Sequence, residues 1–135
     1  MSTPIAFALP ALTTLVAVLL YFVVTLNVGR ARVKYKIAAP AVSGNPDFER
    51  AYRVQMNTLE QIVPFLPALW LFAFFVSTFW ATMLGAIWIL GRAFYAIGYY
   101  RAAEKRGAGF GLSMLAFVAL WFGAFWGVGR ILLQG

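Results

Sequence analysis

The sequence predicts an all-α integral membrane protein, a four-transmembrane-helix bundle, and three observations predict it. Of the 135 residues, 63% are apolar and only 11% charged, roughly half the charge of an ordinary soluble domain. The apolar residues fall in long blocks that divide naturally into bilayer-crossing lengths of about 20 residues. Nine of the eleven basic residues (Arg30, Arg32, Lys34, Lys36, Arg50, Arg53, Arg101, Lys105 and Arg106) lie in just two connections between those blocks.

Residues 1–29 carry no charged side chain, and a first span fits over about 5–28. Pro4 is tolerated near its start because an N–H there would have no partner in any case. A secretory leader is the rival reading, but in a leader the basic cluster precedes the apolar run, and here it follows. The next apolar block, about 62–100, is broken only by Arg92. As one helix it would be roughly 60 Å long, twice a bilayer core, so it is read as two spans, about 58–78 and 81–102. The hairpin between them is placed at Ser77–Ala81, where small polar residues flank an interfacial Trp80. The fourth span fits over about 110–132, with the glycines of "GAGFG" (Gly107–Gly111) assigned to the turn before it. All 135 residues are thus read as one membrane domain.

Four spans put both basic connections on one side. The positive-inside rule assigns that side to the cytosol and both termini to the opposite side. The formal net charge of +7 favours anionic lipid headgroups or anionic ligands at that face. Cys and His are absent, which removes disulfides, a cysteine nucleophile, Cys/His metal sites and the commonest neutral-pH base. The four acids, Asp47, Glu49, Glu60 and Glu104, are too scattered for a carboxylate metal site, so no metal is expected. Any thiol chemistry must come with a ligand. Gly123 and Gly127, with Ala119 a turn earlier, form a small-residue stripe that admits a close helix neighbour.

Two sets of polar residues stand out at the basic end. Arg53, Asn57 and Glu60 fall within about 60° on one helical face, and Pro64 and Pro67 continue that face into the apolar half, where they interrupt hydrogen bonding and favour a kink. Arg92, Tyr95, Tyr99 and Arg106 recur at spacings that suit one face of the third helix. Arg92, inside a span, requires a bundle-facing position and a partner; Glu60 is the obvious acid. A structural ion pair between helices is the simpler reading of that pair. The convergence of guanidinia, an amide, a carboxylate and two phenols exceeds what one pair needs. It suits an anion with a carboxylate for Arg and an ammonium for Glu60, glutathione being one such molecule among many.

The runs "FERAYRVQMNTLEQIVPFLPALW" (Phe48–Trp70) and "GRAFYAIGYYRAAEKR" (Gly91–Arg106) resemble the MAPEG family, the membrane-associated proteins in eicosanoid and glutathione metabolism. The resemblance covers the whole chain in length and span count. It implies a homotrimer of four-helix bundles that binds glutathione between subunits near the cytosolic face. By the same resemblance Arg32, Arg53, Gln55, Asn57, Glu60, Tyr95 and Tyr99 match glutathione-binding positions. Arg106 matches the catalytic arginine that stabilises the thiolate. Arg92, Pro64 and Pro67 are read from their positions in the spans as structural or site-supporting. Where a leukotriene-synthesising member carries a second arginine this chain has Val33, and where that member has a tyrosine it has Gln61, which argues against that specificity.

The expected function is therefore a membrane-bound glutathione transferase, with possible peroxidase activity. Glutathione is the co-substrate, and the acceptor is a hydrophobic electrophile or a lipid hydroperoxide reached from membrane lipid. Nucleic acid is not an expected partner. The alternative is a non-catalytic lipid- or glutathione-binding membrane scaffold, which predicts no glutathione turnover. A small transporter fits less well, because four short spans show no broken-helix repeat.

Overall fold

In the computed structural model, which describes residues 3–135, four helices run α1 (Thr3–Tyr35), α2 (Pro46–Phe75), α3 (Thr78–Arg101) and α4 (Gly107–Gln134), with a 3-10 turn at Ala103–Arg106 between the last two. All four helices are long and apolar enough to cross a membrane. Each contains its expected span to within three residues, but α1 continues to Tyr35 and α2 begins a dozen residues before position 58. These extensions carry five of the eleven basic residues, Arg30, Arg32, Lys34, Arg50 and Arg53, beyond the apolar segments.

The helix starts are set by local chemistry. Asn45 is extended, and its Oδ1 accepts from the N–H groups of Asp47 at 2.8 Å and Phe48 at 3.1 Å. Pro46 follows at the position where a missing N–H costs nothing, and Asp47 and Glu49 complement the positive end of the helix dipole. Replacing Asn45 with alanine should lower the unfolding free energy by about 1 kcal/mol, measurable as an earlier thermal transition in detergent; an unchanged transition would count against this cap. Ser77 ends the α2–α3 hairpin where it was expected, its Oγ accepting from Trp80 N–H at 3.2 Å.

α3 is the central element, packing on α1, α2 and α4, while α4 rests on α2 and α3. The apolar residues Ile62, Phe65, Leu69 and Phe72 turn one face of α2 inward. Phe65 stacks on Trp88 of α3 with ring centroids 3.9 Å apart and planes nearly parallel at 6°. Gly123 receives the Phe72 ring, and Gly127 lies against the Phe75 carbonyl, so the small-residue stripe of α4 does admit α2.

The "GAGFG" glycines do not make the turn assigned to them. Ala102, extended at φ −164°, breaks α3, and the 3-10 turn reverses the chain; Gly107 already has helical angles and opens α4. Gly109 lies within α4 at its crossing with Gly91 of α3. A Cβ on Gly91 would stand 2.6 Å from Ser113 N, and one on Gly109 would stand 2.6 Å from Gly91 O. What the crossing needs is the absence of a side chain, not freedom in φ.

The short connections bring the end of α1, the start of α2, the end of α3 and the start of α4 to one end of the bundle. Tyr35 Oη donates to Asp47 Oδ2 at 3.4 Å, and Arg32 lies over the Phe48 ring. All nine clustered cations are at this basic end. Arg130 lies at the other, beside the C-terminus of α2, where it donates to Phe75 O at 3.5 Å.

Candidate functional site

At the basic end α2 has two unlike faces. Phe48, Ala51, Val54, Thr58 and Ile62 are buried at helical spacing. Arg53 and Glu60 stand on the opposite side, exposed, with Asn57 half-buried beside them and its Oδ1 shielded from solvent without a hydrogen-bond partner. The predicted stripe is therefore present, and it faces outward. Arg50, on its flank, is engaged by Asp47 in an ion pair.

Following this outer face along α2 leads from charge into hydrocarbon. Pro64, Pro67 and Leu71 continue the line, and with Ala68, Trp121 and Phe125 they border a groove of about 480 Å³ between α2 and α4, apolar almost throughout. α2 passes through both prolines as one continuous helix. Their contribution is to the wall of the groove, since their rings replace amide donors with carbon on its exposed side.

The second set is assembled on α3 and the turn after it. Arg92 is 1% exposed, and its Nη2 donates to Thr58 Oγ1 of α2 at 2.8 Å. Thr58 in turn donates to the Val54 carbonyl at 2.7 Å. The expected Arg92–Glu60 pair is not formed. Glu60 lies two residues beyond Thr58, about 200° further round the helix, so α3 meets the hydroxyl and the carboxylate points away. Nε and Nη1 of Arg92 have no hydrogen-bond partner among the described residues, and the guanidinium carbon lies 4.0 Å from the centre of the Tyr95 ring.

From Arg92 a row of groups leads outward. Tyr95 meets Tyr99 edge to face at 5.6 Å and 65°, with Phe110 of α4 bracing Tyr95 at 6.2 Å. The Arg106 guanidinium closes the row, 5.6 Å over the Tyr99 ring. Arg106 does not share the α3 face suggested by its spacing, because α3 ends at Arg101. The 3-10 turn carries it back to Tyr99, and its Nη1 donates to the carbonyl of Ala103. Arg106 is exposed, so its charge is available to an incoming group.

Two expected ligands have partners within the chain. Gln55 Nε2 donates to Thr25 Oγ1 of α1 at 3.4 Å. Arg32 Nη1 donates to Ala41 O at 2.7 Å and Ile37 O at 3.4 Å, and the guanidinium lies 5.0 Å over Phe48. Arg32 thus holds the α1–α2 connection against the start of α2. Thr58 is the residue that sequence reasoning missed. Its signal was a hydroxyl inside the otherwise apolar series Val54, Thr58, Ile62, the side of α2 that had to meet another helix.

No hydrogen bond or ion pair among the described residues joins Arg53, Asn57 or Glu60 to Tyr95, Tyr99 or Arg106. The mechanical link between the two sets is Thr58–Arg92. Chemically, the basic end offers exposed guanidinia, a carboxylate and an amide next to an apolar groove.

Comparison with known proteins points the same way. The sequence profile of the MAPEG family matches residues 10–126. An uncharacterised protein of Synechocystis is 56% identical over 115 residues, 85% of this chain and 84% of that protein. Microsomal glutathione S-transferase 2 of Homo sapiens is 46% identical over 89 residues, which cover 66% of this chain and 60% of the human protein. Leukotriene C4 synthase of Bos taurus is 37% identical over 99 residues, 73% of this chain and 66% of the synthase.

Proposed function

Because the chain belongs to the MAPEG family, we propose that it is a membrane-bound glutathione transferase that activates the glutathione thiol and delivers it to lipophilic acceptors. The observation that carries this reading is the continuity of one α2 face, from Arg53, Asn57 and Glu60 into the groove at Pro64 and Pro67. Such a face suits a reaction between a water-soluble partner and an apolar one. Arg53 to Glu60 spans seven residues, about 10 Å along a helix axis, close to the length of an extended tripeptide. Arg53 would take a glutathione carboxylate, Glu60 its ammonium group and Asn57 a peptide group, with Tyr95 and Tyr99 of a neighbouring copy bordering the thiol.

Arg106 is the catalytic residue on this reading. Its positive charge stabilises the thiolate without a protein base, in keeping with the absence of His and Cys. The thiolate attacks the electrophilic carbon, a C–S bond forms, and the leaving group departs with the electron pair. With a lipid hydroperoxide, two glutathiones are oxidised to the disulfide while the hydroperoxide is reduced to alcohol and water. The outward aim of the α2 stripe leaves one side to be enclosed, and a homotrimer would enclose it with neighbouring copies, which could also bring Arg32 and Gln55 to the ligand. The basic end is assigned to the cytosol and both termini to the opposite side.

Equilibrium binding of glutathione to the detergent-purified protein tests the reading. Arg53→Ala and Glu60→Ala should each weaken binding by roughly 10- to 100-fold, the range for a charge-assisted contact. Equal affinity in all three proteins would remove the stripe from the site. Binding without consumption of glutathione, when a chlorodinitrobenzene or a fatty-acid hydroperoxide is supplied, would instead establish a non-catalytic binding protein.

A further inference from the structure

We propose that Arg92 is a positioning residue for the reacting thiol, acting through Tyr95 and Tyr99 to set the aim of Arg106. The inference rests on the glutathione reading above and adds to it a residue deep in the bundle. Three observations carry it. Arg92 is the only charged side chain among the described residues that is buried, and no carboxylate neutralises it. Its single hydrogen bond among the described residues is to a neutral hydroxyl, and Nε and Nη1 have no partner there. A buried unpaired cation costs several kcal/mol in a membrane bundle, and fastening α2 to α3 does not require that cost, since an apolar contact such as Phe65–Trp88 does the same without charge.

What the charge adds is orientation. A guanidinium centred over an aromatic ring favours one relation of the two planes, and Arg92 sits 4.0 Å over Tyr95. With Phe110 bracing it, Tyr95 is held from two sides, and its edge-to-face contact sets the plane of Tyr99. The Tyr99 ring is in turn the seat of the Arg106 guanidinium, whose other hold among the described residues is the Ala103 carbonyl in its own turn. The row Arg92, Tyr95, Tyr99, Arg106 therefore carries order from the buried Thr58 bond to an exposed cation. Loss of the first member frees the last.

Arg92→Lys tests this, because it keeps the positive charge and removes the flat stacking surface. With wild type and variant in detergent, the absorbance of bound glutathione thiolate is followed as pH is varied, and KM and kcat are measured with a chlorodinitrobenzene. The expected result is a thiol pKa about one unit higher, which from a wild-type value about two units below that of a free thiol lowers the thiolate fraction at pH 7 by about threefold, with kcat falling by a similar factor and the KM for glutathione within threefold of wild type. Thr58→Val, which leaves the stacked row in place, should give a smaller shift. An Arg92→Lys protein that binds glutathione normally with an unchanged thiol pKa would overturn the proposal and leave Arg92 as a strut. If Arg92→Lys does not fold, Arg92→Gln, which keeps a donor for Thr58 and removes the cation from the Tyr95 ring, carries the same expectation and the same overturning result. Failure of the glutathione reading is seen separately: the wild-type protein itself would show no bound thiolate, and the positioning role would fall with it.

Discussion

Replacing Arg106 with alanine is expected to raise the thiol pKa of bound glutathione by two to three units and to lower the thiolate fraction at neutral pH by about 30-fold. A free cysteine thiol titrates near pH 8.5, and an adjacent guanidinium lowers that value by one to several units. A shift of two to three units corresponds to roughly 3 to 4 kcal/mol of preferential interaction with the thiolate. One guanidinium at the edge of lipid can supply that, because its partner lies outside bulk water. Arg106 also has little structural duty: it is exposed, and its internal contacts are the Tyr99 ring and the carbonyl of Ala103. Its loss should therefore lower kcat with any electrophile while the protein remains folded. The sign with pH follows, since activity lost at neutral pH should return as pH is raised and the thiol ionises without help. Thiolate absorbance across pH, with kcat measured in parallel, checks the expectation; equal thiolate fractions in wild type and Arg106→Ala would end the catalytic assignment.

The largest effect on the fold is expected from Gly109→Ala. Its Cβ would stand 2.6 Å from Gly91 O and equally close to Tyr95 Cα, so α3 and α4 must separate. Overpacking of this kind costs about 1 to 3 kcal/mol, and the upper end applies because the clash is with backbone. Gly111, two residues on in the same helix, faces open space, so Gly111→Ala should be neutral or stabilise by up to about 1 kcal/mol. Thermal unfolding of the two variants in detergent gives the comparison. If Gly109→Ala unfolded no earlier than Gly111→Ala, the α3–α4 crossing would not be as close as described. Because Tyr95 flanks the crossing, the Gly109 variant should also show a reduced bound-thiolate signal.

The contrast between these two glycines shows where the sequence stops being legible. Four spans, the Ser77 hairpin and the polar stripe along one face of α2 follow from length and period alone, because lipid and helix geometry leave few choices; the outward aim of that stripe does not. The glycines of "GAGFG" do not follow. A glycine can serve by its free backbone or by its missing side chain, and the letters are the same for both. Arg92 posed a similar choice. Charge complementarity favoured Glu60, whereas the burial pattern of α2 favoured Thr58, and burial decides which face meets α3 before charge has a say. Arg106 has the spacing of a helical neighbour of Tyr99, yet it arrives there by a break at Ala102 and a 3-10 turn. Arg32 could not be placed at all without the chain segment it holds, since its partners are main-chain carbonyls with no signature in the sequence.

The unbroken run of α2 from Pro46 to Phe75 makes it a depth gauge. From Arg53 to Pro64 is eleven residues, about 16 Å along the axis, all within one helix. On the proposed reading a bound thiol is held at a fixed altitude relative to the hydrocarbon, and a lipophilic acceptor must bring its reactive atom up to that altitude. Acceptors would then be sorted by where their reactive atom rides in the bilayer. An amphiphile whose reactive group floats near the headgroups would be favoured over an oil-soluble molecule of the same chemistry that stays at the midplane.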